Sequence, residues 1–287
     1  MSDAADAHPR PRFDPAAHAE LALLLEVAGT PKPGNVDRDH DFDDLRFEHF
    51  LAGAVGARPG LDAAADADEP LGAAFERSVA GMSQQDGGNA QFGCLLLLAP
   101  LVRTAATGPL TPARATTTVE ATTVADARAF FAAFEHVDVA VGDPPPDLAD
   151  LDVRRGAAAG DAAADRGLTW YDVMDRSADD GNAAEWTEGF PLVFDAAESM
   201  LADEGPAPDR VARAFLSLLG RREDTLVRVE HGTDVAREVR DRAAECDDLD
   251  DAAALATDLR ERGVNPGTTA DATAAATFVA LERGLPV

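Results

Sequence analysis

Apolar side chains recur every three to four residues through almost the whole chain, and that period admits helices and little else. Asp14-Pro15 reads as a helix cap followed by a first-turn proline, after which Leu21, Leu24, Leu25 and Ala28 fall on one stripe. The same spacing predicts helices over residues 42–57, 71–82 and 90–107, another opening at Thr111-Pro112, and more over 123–134, 169–178, 183–201, 208–222, 234–244, 249–262 and 270–282. The stretch 90–107 is apolar on every side, which predicts burial all round and a bend at Pro100. Only 136–141 and 225–229 alternate as strands do, and both are short. From 137 to 167 the period fades into Asp143-Pro144-Pro145-Pro146 and Ala/Asp/Gly text, which reads as an acidic loop or insert over 142–167. The expectation is an all-α fold: a flexible tail at 1–13, then a single domain over 14–287 of roughly ten to twelve packed helices, with the site in the loops between them.

Charge narrows the partners. Asp and Glu number 53 against 25 Lys and Arg, a net charge of −28. Such an excess repels nucleic acid and anionic membrane surfaces. The acids interleave with apolar residues instead of forming blocks, so a folded chain is expected. No run reaches the ~20 apolar residues of a membrane span, and the opening residues lack a basic start followed by an apolar stretch. The chain therefore reads as cytoplasmic. The two cysteines, Cys94 and Cys246, exclude a disulfide framework and a cysteine-rich zinc site.

Lys32 is the one lysine; every other cation of the 25 is arginine. With abundant Asp and Ala, this composition fits a cytoplasm of molar salt, where charge repulsion is screened within about 3 Å. A lysine kept against that trend marks a place where a compact ammonium serves and a planar guanidinium does not. On this reading, Lys32→Arg lowers activity with little effect on stability.

The residues that chemistry would use gather in four loops. The first, Thr30-Pro31-Lys32-Pro33-Gly34-Asn35-Val36-Asp37-Arg38, offers two cations and a carboxylate. The second, Asp86-Gly87-Gly88-Asn89, opens the apolar helix, where backbone N–H groups and the helix end favour an anion. The third, over 179–185, sets carboxylates on both sides of a glycine turn. The fourth, Asn265-Pro266-Gly267-Thr268-Thr269-Ala270-Asp271, leads into a helix but lacks the lysine and the strand of a phosphate-binding P-loop. The acids at 39, 41, 43 and 44 lack the central glycine and terminal glutamate of a calcium loop.

Taken in order, the first loop, Gly87-Gly88-Asn89, Asp224-Thr225-Leu226-Val227 and the Asn-Pro-Gly loop ending in Asp271 resemble the triphosphoribosyl-dephospho-CoA synthase family. The segments Tyr171-Asp172-Val173-Met174 and Glu185-Trp186-Thr187-Glu188-Gly189-Phe190 are similar to that family too, especially its archaeal branch. The resemblance implies an all-helical enzyme that joins the triphosphoribosyl part of ATP to 3′-dephospho-CoA with release of adenine. The product is the prosthetic-group precursor of the acyl carrier proteins of citrate lyase and malonate decarboxylase. Breaking the adenine–ribose bond develops oxocarbenium character, which carboxylates stabilise. On that reaction Lys32 and Arg38 are placed on phosphates, Gly87, Gly88 and Asn89 in an anion-binding turn, and Asp37 and Asp86 at Mg²⁺. Glu185 or Asp180 is the catalytic base, and Asp271 orients ribose or metal. The expected partners are small nucleotides, ATP and dephospho-CoA, with self-association left open. The alternative is a nucleotide-binding helical protein that uses another ribosyl acceptor or turns nothing over.

Overall fold

Several of the helices begin where a side chain takes up their first free N–H groups. Asp14 accepts from the Ala17 N–H at 2.7 Å, and Asp180, Asp224 and Asp248 do the same at three later starts. Thr123 with Asp126, and Thr169 with Asp172, form reciprocal capping boxes. A computed structural model describes residues 13–144 and 146–287. Its α-helices, in chain order, are α1 Pro15–Ala28, α2 Phe47–Ala65, α3 Leu71–Met82, α4 Phe92–Thr107, α5 Pro112–Glu120, α6 Val124–Ala133, α7 Ala157–Asp165 and α8 Trp170–Asp175. There follow α9 Gly181–Glu188, α10 Pro191–Ala202, α11 Ala207–Arg221, α12 Thr225–His231, α13 Thr233–Ala244, α14 Leu249–Glu261 and α15 Gly267–Glu282. Two 3₁₀ turns, Pro146–Leu151 and Val153–Arg155, precede α7.

The all-α expectation holds: among the described residues there is no strand, only an isolated antiparallel bridge between Asp37 and His40. No described helix is long and apolar enough on its own to cross a membrane. The helices exceed the expected ten to twelve for identifiable reasons. The stretch 183–201 is two helices, because Gly189 and Phe190 both take left-handed backbone (φ 81° and 62°) and Pro191 restarts the chain as α10. The Phe190 ring is fully buried, which offsets a backbone cost of about 1–3 kcal/mol. The stretch 225–229, which alternates like a strand, is helix α12, fixed by the Asp224 cap. The stretch 136–141 is not a strand either, and α7 forms inside the region read as a loop. Helix α2 starts later than the period indicates, where the Phe47 N–H donates to Asp41 at 2.6 Å. It then runs through Pro59, which faces solvent. The tail positions 1–12 lie outside the described residues.

Helix α15 occupies the centre. Every residue from Thr269 to Leu281 is buried except Asp271, and its alanines let α1, α4, α10 and α11 pack closely around it. Helices α2 and α3 also meet backbone to backbone: a Cβ on Gly56 would lie 2.2 Å from the Gly81 carbonyl oxygen. Phe75, Phe92, Phe130, Phe134, Trp170 and Trp186 form a continuous aromatic cluster beside α4. A second apolar cluster joins α11, α13 and α14, and a third seats the Lys32 loop through Val27, Val36 and Phe50.

Candidate active site

Loops far apart in sequence are locked together at one end of α15. Gly34 has φ 76°, and a Cβ there would lie 2.2 Å from the Val264 carbonyl oxygen, so only glycine lets the first loop seat on the fourth. Asn35 Nδ2 donates to Asn265 Oδ1 at 2.8 Å across the same junction. Asp224 accepts from the N–H and the hydroxyl of Thr269, both at 2.7 Å, as well as from the Val227 N–H. The Gly181 N–H donates to Thr225 Oγ1 at 2.9 Å, and the Leu226 N–H donates to Thr268 Oγ1 at 3.3 Å.

These junctions wall a cavity of about 770 Å³. Its polar wall carries Glu26 from α1, Asn89 before α4, Asp180 and Asn182 from the third loop, and Asp271 on α15. The Asp271 carboxylate lies against Gly93, where a Cβ would come within 2.0 Å of Oδ2. Asn182 Nδ2 donates to Oδ2 at 2.8 Å, and the Cys94 thiol donates to Oδ1 at 3.2 Å. Burial pushes the Asp271 carboxyl up to about 7; these two hydrogen bonds pull it down, and the charges of Asp224 and Glu26 add to the rise. Burial also raises Asp180, against the Ala183 and Asn182 N–H groups that stabilise its charge. Glu26 is raised by burial and held back by Lys32. Burial and the Asp271 charge keep Cys94 a thiol. An acid with a carboxyl near neutrality, inside a cavity beside further carboxylates, can exchange a proton with a substrate.

Of the site residues expected from the sequence, Asn89, Asp180 and Asp271 are on the cavity wall. Others are not. Lys32 is fully buried: its ammonium pairs with Glu26, donates to Asn35 Oδ1 at 2.9 Å and sits 5.7 Å from the centre of the Phe215 ring. It is not a surface cation waiting for phosphate but the partner of two side chains that line the cavity. Arg38 is exposed and outside the lining. Asp37 is fully buried and saturated: it accepts from the Thr30 hydroxyl and the Lys32 and Asp39 N–H groups and pairs with His40. No face of it remains for a metal. Asp86 is exposed and does not line the cavity. In the Gly87-Gly88 turn, Gln85 accepts from the Gly87 N–H and donates to the Gly88 carbonyl, both at 2.6 Å, so that turn is closed on itself. Glu185 points away from the cavity. It accepts from the Val193 N–H at 3.2 Å at the start of α10, and Arg222 lies 3.3 Å from it. Burial raises its carboxyl to about 7, but its position makes it a brace between helices. Among the described residues, no three metal-ligating side chains converge.

Four cavity residues had no distinct mark in the sequence. Glu26 and Cys94 stand within helical stripes that read as core, and Arg228 lies in the stretch that alternates like a strand. Asn182 sits in the third loop beside the acids that drew attention there.

The profile of the ATP:dephospho-CoA triphosphoribosyl transferase family matches residues 12–286. Among solved structures, a crystal structure described as a triphosphoribosyl-dephospho-CoA synthase from Archaeoglobus fulgidus is similar, with 26% identity and a TM-score of 0.67. The match covers 82% of this chain and 99% of that one. A search of curated proteins gives no match.

Proposed function

Because the chain belongs to the ATP:dephospho-CoA triphosphoribosyl transferase family, whose reaction joins the triphosphoribosyl part of ATP to 3′-dephospho-CoA and releases adenine, we propose that this cavity is where the transfer occurs. The observation that carries the reading is Asp271: a carboxyl near neutrality, held by Asn182 and Cys94, where all four loops meet around one cavity. Asp271 protonates the leaving adenine, because a base leaves more readily as the neutral ring. Asp180 accepts the proton of the attacking ribose hydroxyl. Glu26, paired with the buried Lys32 ammonium, stabilises positive charge as it develops on the donor ribose.

Phosphates meet the two cavity arginines, Arg176 and Arg228. Eight carboxylates line the same cavity, so a triphosphate enters with counter-cations. Asp37 and Asp86 do not fit a role at Mg²⁺. The ion would come in on the triphosphate, and Asp179, whose backbone carbonyl accepts from Arg228, is the cavity carboxylate that would hold it. Bound there, it would neutralise phosphate charge. We further read residues 14–287 as one domain, working in an ATP-supplied cytoplasm of high salt, as an archaeal chain of this composition would. The test is adenine release from ATP, measured with and without dephospho-CoA. Release that depends on dephospho-CoA and is lost in Asp271→Asn supports the reading; wild-type protein that releases none overturns it.

A further inference from the structure

The cavity has two unlike walls. Its polar wall comes from α1, α9, α15 and the loops joined to them. Its other wall is mostly apolar: Phe130 on α6, Phe134 just after it, Val173 and Met174 from α8, and the segment on either side of position 145, which also brings Asp138, Asp143 and Asp152 to the rim. That segment contributes Val139, Val141, Leu148, Leu151 and Val153. Each of these five is only half-buried; Val139, Leu151 and Val153 also pack against the main core cluster. Helices α8 and α12 belong to both walls: Arg176 caps α8 beside Val173, and α12 carries Arg228 beside Val229. Arg154 ties the two parts of the segment together, donating to Asp152 at 2.7 Å and to Asp143 at 3.0 Å, and both acids line the cavity.

Of the reaction's two substrates, the acceptor has the long uncharged part that matches a wall of this extent. ATP is a base, a sugar and a charged chain. Dephospho-CoA carries beyond its diphosphate a long uncharged arm with a gem-dimethyl group, two amides and a thioethyl end. We infer that the wall made by α6, α8 and the stretches 139–144 and 147–153 is the subsite for this pantetheine-type arm. This rests on the proposed reaction and adds which wall selects the acceptor. The half-exposed apolar side chains supply the contact: each methylene taken out of water strengthens binding several-fold. A carboxylate in place of Leu148 would remove apolar contact and hold water where the arm would lie.

The test measures binding directly, by calorimetry at fixed molar salt. The ligands are ATP, dephospho-CoA and 4′-phosphopantetheine, and the proteins are wild type, Leu148→Asp and the milder Leu151→Ala. Melting temperatures check that each variant folds. Wild type should bind 4′-phosphopantetheine in competition with dephospho-CoA. Leu148→Asp should weaken dephospho-CoA at least tenfold and Leu151→Ala about three- to tenfold, with ATP binding within twofold of wild type in both. Unchanged dephospho-CoA binding in both folded variants, or a loss that falls on ATP instead, overturns the assignment; the second outcome would give this wall to the donor adenine. Adenine release by the wild-type protein is scored separately. Failure of the arm subsite thus appears as release with unaltered acceptor binding, and failure of the reaction appears as no release at all.

Discussion

Asp271 concentrates chemistry and stability in one carboxyl. Replacing it with asparagine preserves its size but removes the proton, so turnover should fall by about 10²–10⁴-fold while ATP still binds. Its carboxyl titrates near 7 when folded, against an ordinary value of 3.8. Between those pH values the folded chain holds a proton that the unfolded chain has released. This group's contribution to stability therefore falls as pH rises from about 4 to about 7 and is level above that. Denaturant titrations at several pH values in fixed salt should show a shallower decline for Asp271→Asn than for wild type; parallel curves would refute the assignment. Lys32 gives a second test, on different grounds from those the sequence offered. Lys32→Ala strands Glu26 as a buried unpaired charge and should cost about 3–5 kcal/mol. Lys32→Arg must fit a larger head into a sealed site and should itself cost about 1–3 kcal/mol, where the sequence led us to expect little change in stability. Lys32→Met combined with Glu26→Leu should regain most of the stability in thermal melts without regaining activity.

Among the helices, α2 and α3 meet closely, where Gly56 and Gly81 face each other's carbonyls. Gly56→Ala should force these backbones apart and lower stability by about 1–3 kcal/mol, read as a drop in melting temperature; a rise would mean that the helices are free to slide. The sequence showed most helices, because an apolar stripe states which face turns inward. It could not show what that face meets. The break at Phe190 depends on a buried ring holding an unfavourable backbone, and α12 depends on Asp224 bonding both Val227 and Thr269, which lies 45 residues further on. The site divides in the same way. Asn89, Asp180 and Asp271 were legible as polar residues in loops that lead into helices. Glu185 was legible only as an acid in the third loop, and its direction is set by the start of α10. Glu26 was invisible, since a carboxylate in an apolar stripe has meaning only once Lys32 lies against it.

Charge governs the chain as a whole. The net −28 is countered locally by surface pairs, such as Arg242 and Arg262, which both hold Glu238 and Asp258. Exposed pairs contribute little each, so most of the repulsion remains. Melting temperature should therefore climb with KCl through the molar range as the field is screened, and a flat or falling curve would contradict the high-salt setting. The central place of α15 has another result, for how the chain is made. A ribosome releases α1, α4 and α10 with their inner faces bare, and the helix that covers them follows all fourteen others. Until Asn265, Thr268 and Asp271 emerge, the cavity has no floor. The nascent chain must therefore wait with sticky surfaces uncovered, a state open to aggregation and to chaperones, and protein halted before Gly267 should be recovered clumped and inert.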